Sequence, residues 1–314
     1  MDMTALIKIL VLLVGGTLMY STPLVFGALG GVLSERSGVV NIGIEGMMNV
    51  GAFAGVAGSY LTGSPWVGLL CAGIAGGLVA LLHAIASITF NADQTVSGVA
   101  INLLAPGIAL FACGHLFEGA KQTPAVNTLP KLFGNGAFND TLFSALNVDI
   151  TVLLALITSA VVWFVLYRRP FGLHLRACGE HPQAAASVGI NVKRIRYIAV
   201  MASGLLAGLA GGCLVLTQTI QYTSTTINGA GFIALAAVSF GRWKPSGITG
   251  SSLLFGSAVA FSIYVVNIPF LRNLFPSEFF SLLPYVITLL ALVAFSGKNY
   301  APAADGKPYE QASS

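Results

Sequence analysis

Asn41, Glu45 and Asn49 recur at four-residue spacing within SERSGVVNIGIEGMMN, Ser34 to Asn49. Amides and carboxylates set into an apolar run either contact a solute or bridge neighbouring helices, because lipid offers them no other partner. At that spacing all three would share one helical face. They could line a solute path, or they could hydrogen-bond across helices and cap backbone freed at Gly38 and Gly43. A second polar set, Asn91, Asp93, Gln94, Thr95 and Asn102, opens another apolar run. Asp93 reads as an N-cap. Gln94, Thr95 and Asn102 could face a pathway and pair with a neutral polar solute. Glu35 and Arg36 read as a turn on the cytoplasmic side.

The loop from 168 to 196, RRPFGLHLRACGEHPQAAASVGINVKRIR, has a different chemistry. One short helix fits inside it, from Glu180 to Gly189. Pro182 suits a first helical position, Glu180 complements the positive end of the dipole, Ala184 to Ala186 favour helix, and Gly189 suits the stop. Such a helix, with His181 and Ala185 among its residues, could dock into a groove on a soluble partner and carry its movement into the membrane. The alternative is a solvated basic loop that only sets topology. In GAGFIALAAVSFGRWKPSGITG, residues 229–250, a short apolar helix would leave backbone ends free, as at midplane transporter sites. Arg242, Trp243 and Lys244 could equally anchor it at the interface.

Reaction chemistry is harder to find. The chain contains no GxxxxGK[ST] phosphate loop, HExxH helix or GxSxG elbow,. His83, His115, His174 and His181 are dispersed, and Cys71, Cys113, Cys178 and Cys213 show no CxxC spacing,. The reading is a non-enzymatic chain with no catalytic residues, no metal site and no disulfide framework.

The elements that must hold these residues follow from composition. Only 8% of the 314 residues are charged, against about 25% in soluble proteins. With 55% of residues hydrophobic, a globule of this size would expose apolar surface that it could not cover. A net charge of +4 is too small to imply nucleic acid. A bilayer core about 30 Å thick needs about 20 helical residues. On that ruler nine apolar segments can be drawn: 5–33, 39–61, 66–90, 94–117, 150–167, 197–217, 229–241, 247–266 and 282–297. Their continuous rather than alternating apolar character points to helices, not a barrel. The fold class is therefore all-α, a polytopic bundle of about 8–10 spans. Two segments have awkward lengths, the first with Pro23 inside it and the seventh too short to cross. Both are candidates for broken or re-entrant helices.

Six of the fifteen Lys and Arg residues (Arg168, Arg169, Arg176, Lys193, Arg194 and Arg196) fall between the fifth and sixth segments, which makes that loop cytoplasmic. The 118–149 loop and the 267–281 connection are then external, and Lys298 and the amino acids after it internal. Counting also puts the amino terminus outside. Small residues at four-residue spacing, such as Gly204, Gly208 and Gly212, give flat faces for close helix packing or for a dimer contact. Residues 1–300 form one transmembrane domain, and 301–314 a polar cytoplasmic tail.

Three passages resemble a known family. SGVVNIGIEGMMNVGAF, GLHLRACGEHPQAAASVGINV and GAGFIALAAVSFGRWKPSG are similar to signatures of the branched-chain amino acid and simple sugar permeases of bacterial ABC importers. ERSGVVNIGIEG and FGRWKP look nearest to the nucleoside-type members. The resemblance covers roughly residues 20–295, and Cys178 and His181 depart from the family's pattern, which bears on partner choice. It implies a type II importer permease of the inner membrane that pairs with a second permease, is driven through a coupling helix at Glu180 to Gly189 by a cytoplasmic ABC ATPase, and receives solute from an extracytoplasmic binding protein. ATP and magnesium would bind in the ATPase and no cofactor in this chain. Alternating access would carry a nucleoside or similar polar solute, with a simple sugar or branched-chain amino acid as alternatives. For a nucleobase, a stacking ring and amides are required, and Phe53, Asn41 and Asn102 could supply them. A secondary transporter driven by an ion gradient remains the rival, with Glu45 as its titratable group.

Overall fold

The computed structural model describes residues 3–134, 144–265, 279–280, 282–295 and 300–309. The described residues contain helices and isolated bridges but no named strand. All nine apolar segments fold as helices: α1 (Met3–Glu35), α2 (Ile44–Thr62), α3 (Pro65–Ala84), α4 (Gln94–Leu116), α5 (Ile150–Arg168), α8 (Val192–Leu214), α9 (Ala230–Phe240), α10 (Pro245–Tyr264) and α11 (Leu283–Phe295). Two further helices, α6 (Pro170–Glu180) and α7 (Pro182–Ser187), occupy the basic loop. Among the described residues, six helices are long and apolar enough to cross a membrane. α2 matches the length of α5 at 19 residues but carries Glu45 and Asn49, which lower its hydropathy.

α1 is not broken. The pyrrolidine of Pro23 removes the N–H that would bond the Met19 carbonyl, and Gln218 Nε2 donates to that carbonyl at 3.0 Å instead. An amide from another helix thus satisfies the freed backbone group, and the helix runs through. α9 is short, as expected: its 11 residues span about 16 Å, about half the bilayer core.

α8 lies at the centre, packed against α1, α2 and α3. The reason is the flat face that its glycines create. A Cβ on Gly208 would overlap the Ala72 carbonyl, and one on Gly51 would stand 2.6 Å from the Gly208 Cα. Backbones therefore touch directly, and van der Waals contact supplies the cohesion that lipid cannot. Around this contact lie Leu29, Met47, Met48 and Phe255, all fully buried. The 267–281 connection and Lys298 fall largely or wholly outside the described residues. Residues 300–309 do not hang free: Ala304 and Tyr309 are buried, and Ala304 N–H donates to Gly179 O at 2.8 Å.

Candidate functional site

Asn41 does not share a helical face with Glu45 and Asn49. The chain turns through Gly38, at φ +88, and α2 begins only at Ile44, which leaves Asn41 in the connection. Its Nδ2 donates to Ser203 Oγ at 3.0 Å on α8. Glu45, in the first turn of α2, accepts from Gly229 N and Gly231 N, each at 2.7 Å. Its carboxylate thereby caps the N-terminus of α9, where N–H groups lack intrahelical acceptors. Asn49 Oδ1 accepts from the hydroxyl of fully buried Tyr222 at 2.6 Å. Phe53 packs edge-on against the same ring at 5.7 Å.

The second polar set is engaged in the same way. Gln94 Oε1 accepts from Val40 N at 2.7 Å. Asn102 accepts from Gly46 N at 2.8 Å and donates to Ile42 O at 2.9 Å, clamping the start of α2. Asp93 caps α4 by accepting from Val96 N, and Thr95 is exposed. Of the two roles open to these groups, the interhelical one has geometry behind it.

A cavity of about 270 Å³ lies elsewhere, between α1, α8, α9, α10 and α11. Tyr20, Gln218, Thr226, Asn228, Ser262 and Tyr285 supply its polar lining, with Pro23, Leu24 and Ile233 among the apolar walls. Its size is near the lower end of ligand pockets, roughly 300 Å³. Gln218 donates its amide to Met19 O, and Tyr285 donates to Asn228 O at 3.0 Å. Two rings and two side-chain amides therefore converge at one place. Sequence reasoning missed this set because its members come from five separate segments. Tyr20, a polar group inside an apolar run, and Gln218, just past the end of one, were the signal available.

The opposite end of the bundle carries the basic loop. Its helix is split: Glu180 ends α6, His181 sits in the break at φ −140 and ψ 80, and α7 starts at Pro182. The six-residue α7 is therefore shorter than the Glu180–Gly189 expectation, and Glu180 stands in the preceding helix rather than before the dipole of this one. Gly189, at φ +86, turns the chain into α8, which Asn191 caps by accepting from Arg194 N. Pro182 and Ala185 face inward, and Ala185 packs with Cys178, Val192 and Tyr309. Gln183, Ala184, Ser187 and Val188 face out, Val188 at 75% exposure.

This outward surface rests on a tied base. Arg36 stands 3.7 Å from Glu180 and donates to Trp243 O, while the Trp243 indole donates to Glu35. Arg196, buried, donates to Ser37 O and Lys307 O. Burial holds the Asp305 carboxyl above the usual carboxylate range, with Gly306 N–H and Arg196 opposing. α7 is thus fixed to α8 and Tyr309 through Ala185, and the adjoining end of α6 to Arg36 after α1 and to residues 303–304.

Comparison with known proteins agrees with this architecture. The profile of the family described as branched-chain amino acid transport system / permease component matches residues 13–292. The chain belongs to that family. Among relatives of this permease, the guanosine ABC transporter permease protein NupQ of Bacillus subtilis is 45% identical over 97% of this chain and 98% of its own. The nucleoside ABC transporter permease protein NupC of Lactococcus lactis is 37% identical over 96% and 98%. The guanosine ABC transporter permease protein NupP of Bacillus subtilis is 26% identical over 92% and 82%. The permease is a multi-pass protein of the cell membrane and a transport subunit, not an enzyme.

Proposed function

We propose that this permease imports nucleosides, driven by a cytoplasmic ABC ATPase that grips the outward surface of α7. The observation that carries the solute class is 45% identity to a guanosine permease over nearly the full length of both chains. The cavity supports the reading, since Tyr20 and Tyr285 offer rings for stacking and Gln218 and Asn228 amides for a base edge,. Asn41, Glu45, Asn49 and Asn102 hold the helices around that path, and Phe53 stiffens it through Tyr222.

For coupling, exposed Ala184 and Val188 would enter a groove on the ATPase. ATP with magnesium would bind there, and the ATPase must bind outward and inward states with different free energy to shift them. The ties from α7 to α8, and from the end of α6 to Arg36 after α1, would carry the motion. Two different chains of one organism, NupP and NupQ, bear the same transporter name, which supports a second, non-identical permease as partner. An extracytoplasmic binding protein would deliver solute.

The test is uptake of labelled guanosine into vesicles holding this permease, its partner permease and the ATPase. ATP-dependent uptake, competed by unlabelled nucleosides and not by glucose or leucine, is the expected result. Uptake that persists without the ATPase and collapses with an ion gradient would establish the secondary-transporter reading instead.

A further inference from the structure

Three arginines gather where α5 meets α6, and an aromatic ring fixes each one. The guanidinium carbon of Arg168 lies 5.6 Å from the Trp163 ring centroid, that of Arg169 4.8 Å from Phe164, and that of Arg176 4.9 Å from Tyr167. Backbone chemistry makes the corner. Pro170 disfavours helical geometry in the residue before it, and Arg169 is extended at φ −113 and ψ 148. Gly172 then backs onto the last turn of α5, where a Cβ would lie 2.5 Å from the Leu166 Cα. α6 folds back so closely that Arg176 reaches a ring on α5.

Among the described residues none of these three charges forms an ion pair. No Asp or Glu occurs from 150 to 179, and the next acid, Glu180, is paired with Arg36. Among the described residues the one hydrogen bond from the three guanidiniums is Arg176 Nε to Gly172 O at 3.3 Å. Lys244 stands just before α10 at the same end of the bundle, because its neighbour Trp243 accepts through its carbonyl from Arg36, which pairs with Glu180 at the end of α6. Trp163 and Phe164 are each 43% exposed on a membrane-crossing helix. A ring there meets acyl chains, while the guanidinium stacked on it reaches the headgroup level.

We propose that the α5–α6 corner binds the phosphate of an anionic phospholipid of the inner leaflet through Arg168, Arg169 and Arg176. A planar guanidinium matches phosphate with two parallel hydrogen bonds, and stacking removes its side-chain freedom before the lipid arrives. Trp163 and Phe164 lie along the acyl chains. Neither the nucleoside reading nor the ATPase contact is needed for this site.

Native mass spectrometry of the delipidated full-length permease, titrated with phosphatidylglycerol or phosphatidylcholine, tests it. Each arginine near an anionic leaflet strengthens association roughly fivefold, so a variant with R168Q, R169Q and R176Q should retain phosphatidylglycerol at least about tenfold less well. The matching R168K, R169K and R176K variant, which keeps charge but loses the planar fork, should fall between. Equal retention of the two lipids by the wild type, unchanged retention by the glutamine variant, or displacement of phosphatidylglycerol by millimolar inorganic phosphate overturns the proposal. Should the glutamine variant fail to fold, tryptophan quenching in the wild type by brominated phosphatidylglycerol must exceed that by brominated phosphatidylcholine and shrink in W163F. Equal quenching overturns the proposal, as does protection of Arg168 from phenylglyoxal by the ATPase but not by phosphatidylglycerol.

Discussion

Replacing Glu45 with alanine isolates the cap on α9. Two backbone N–H groups, at partly buried Gly229 and buried Gly231, would lose their acceptor. A hydrogen bond to a charged group contributes about 1.5–3 kcal/mol, giving roughly 3–6 kcal/mol for the pair. Release of a carboxylate from its partly buried site offsets some of that, leaving a net loss of about 3 kcal/mol. For a chain of 314 residues each kcal/mol moves the thermal midpoint about 1.5 °C, so E45A should melt about 4 °C lower in detergent. E45Q keeps one acceptor and should lose about half as much. Uptake should decline in the same order, and a cysteine at Asn228 should become more reactive as α9 frays. A midpoint in E45A within about 1 °C of the wild type would refute the capping argument. Abolished uptake in E45Q with an unshifted midpoint would instead make Glu45 a titrating carrier.

Other outcomes follow from the same geometry. A184E should sharply lower nucleoside uptake without lowering the amount of permease in the membrane, because Ala184 faces out, whereas A185E should reduce the folded protein itself, because Ala185 is buried; immunoblots alongside uptake separate the two. G208L should destabilise the bundle by more than about 3 kcal/mol, since overpacking a direct backbone contact forces α3 and α8 apart,, and the unfolding midpoint reads this. Burial raises the Asp149 carboxyl to about 6, with Lys131 opposing. The folded state then binds more protons than the unfolded one from pH about 4 to 6, so stability falls as pH rises through that window and levels off above it. D149N should abolish that fall, measured as the difference between variant and wild-type midpoints at pH 4.5 and 7.5.

Much of the architecture was legible in the order of residues. Nine apolar segments were drawn and nine helices fold from them, because crossing a bilayer depends on hydropathy summed over neighbouring residues, a local property. The short α9 was visible for the same reason. Pro23 was misleading, because a proline's effect depends on whether another group takes the freed carbonyl, and Gln218 lies almost two hundred residues away. The break at His181 was legible from Pro182, which disfavours helix in the residue before it,; hidden was the separate α6 over Pro170–Glu180 that takes Glu180 away from the expected helix.

Composition, charge asymmetry and short motifs were enough to make this a helical permease of the cell membrane with one strongly basic loop, since each of those signals is read within a window of consecutive residues. Whether Asn41, Glu45 and Asn102 touch solute or hold helices together depended on which polar groups other segments bring to them. So did the meeting of Tyr20, Gln218, Asn228 and Tyr285 around one cavity. Glycine faces allow α8 to approach α1, α2 and α3 at backbone contact, and that close packing selects the partners that no pattern along the chain encodes,.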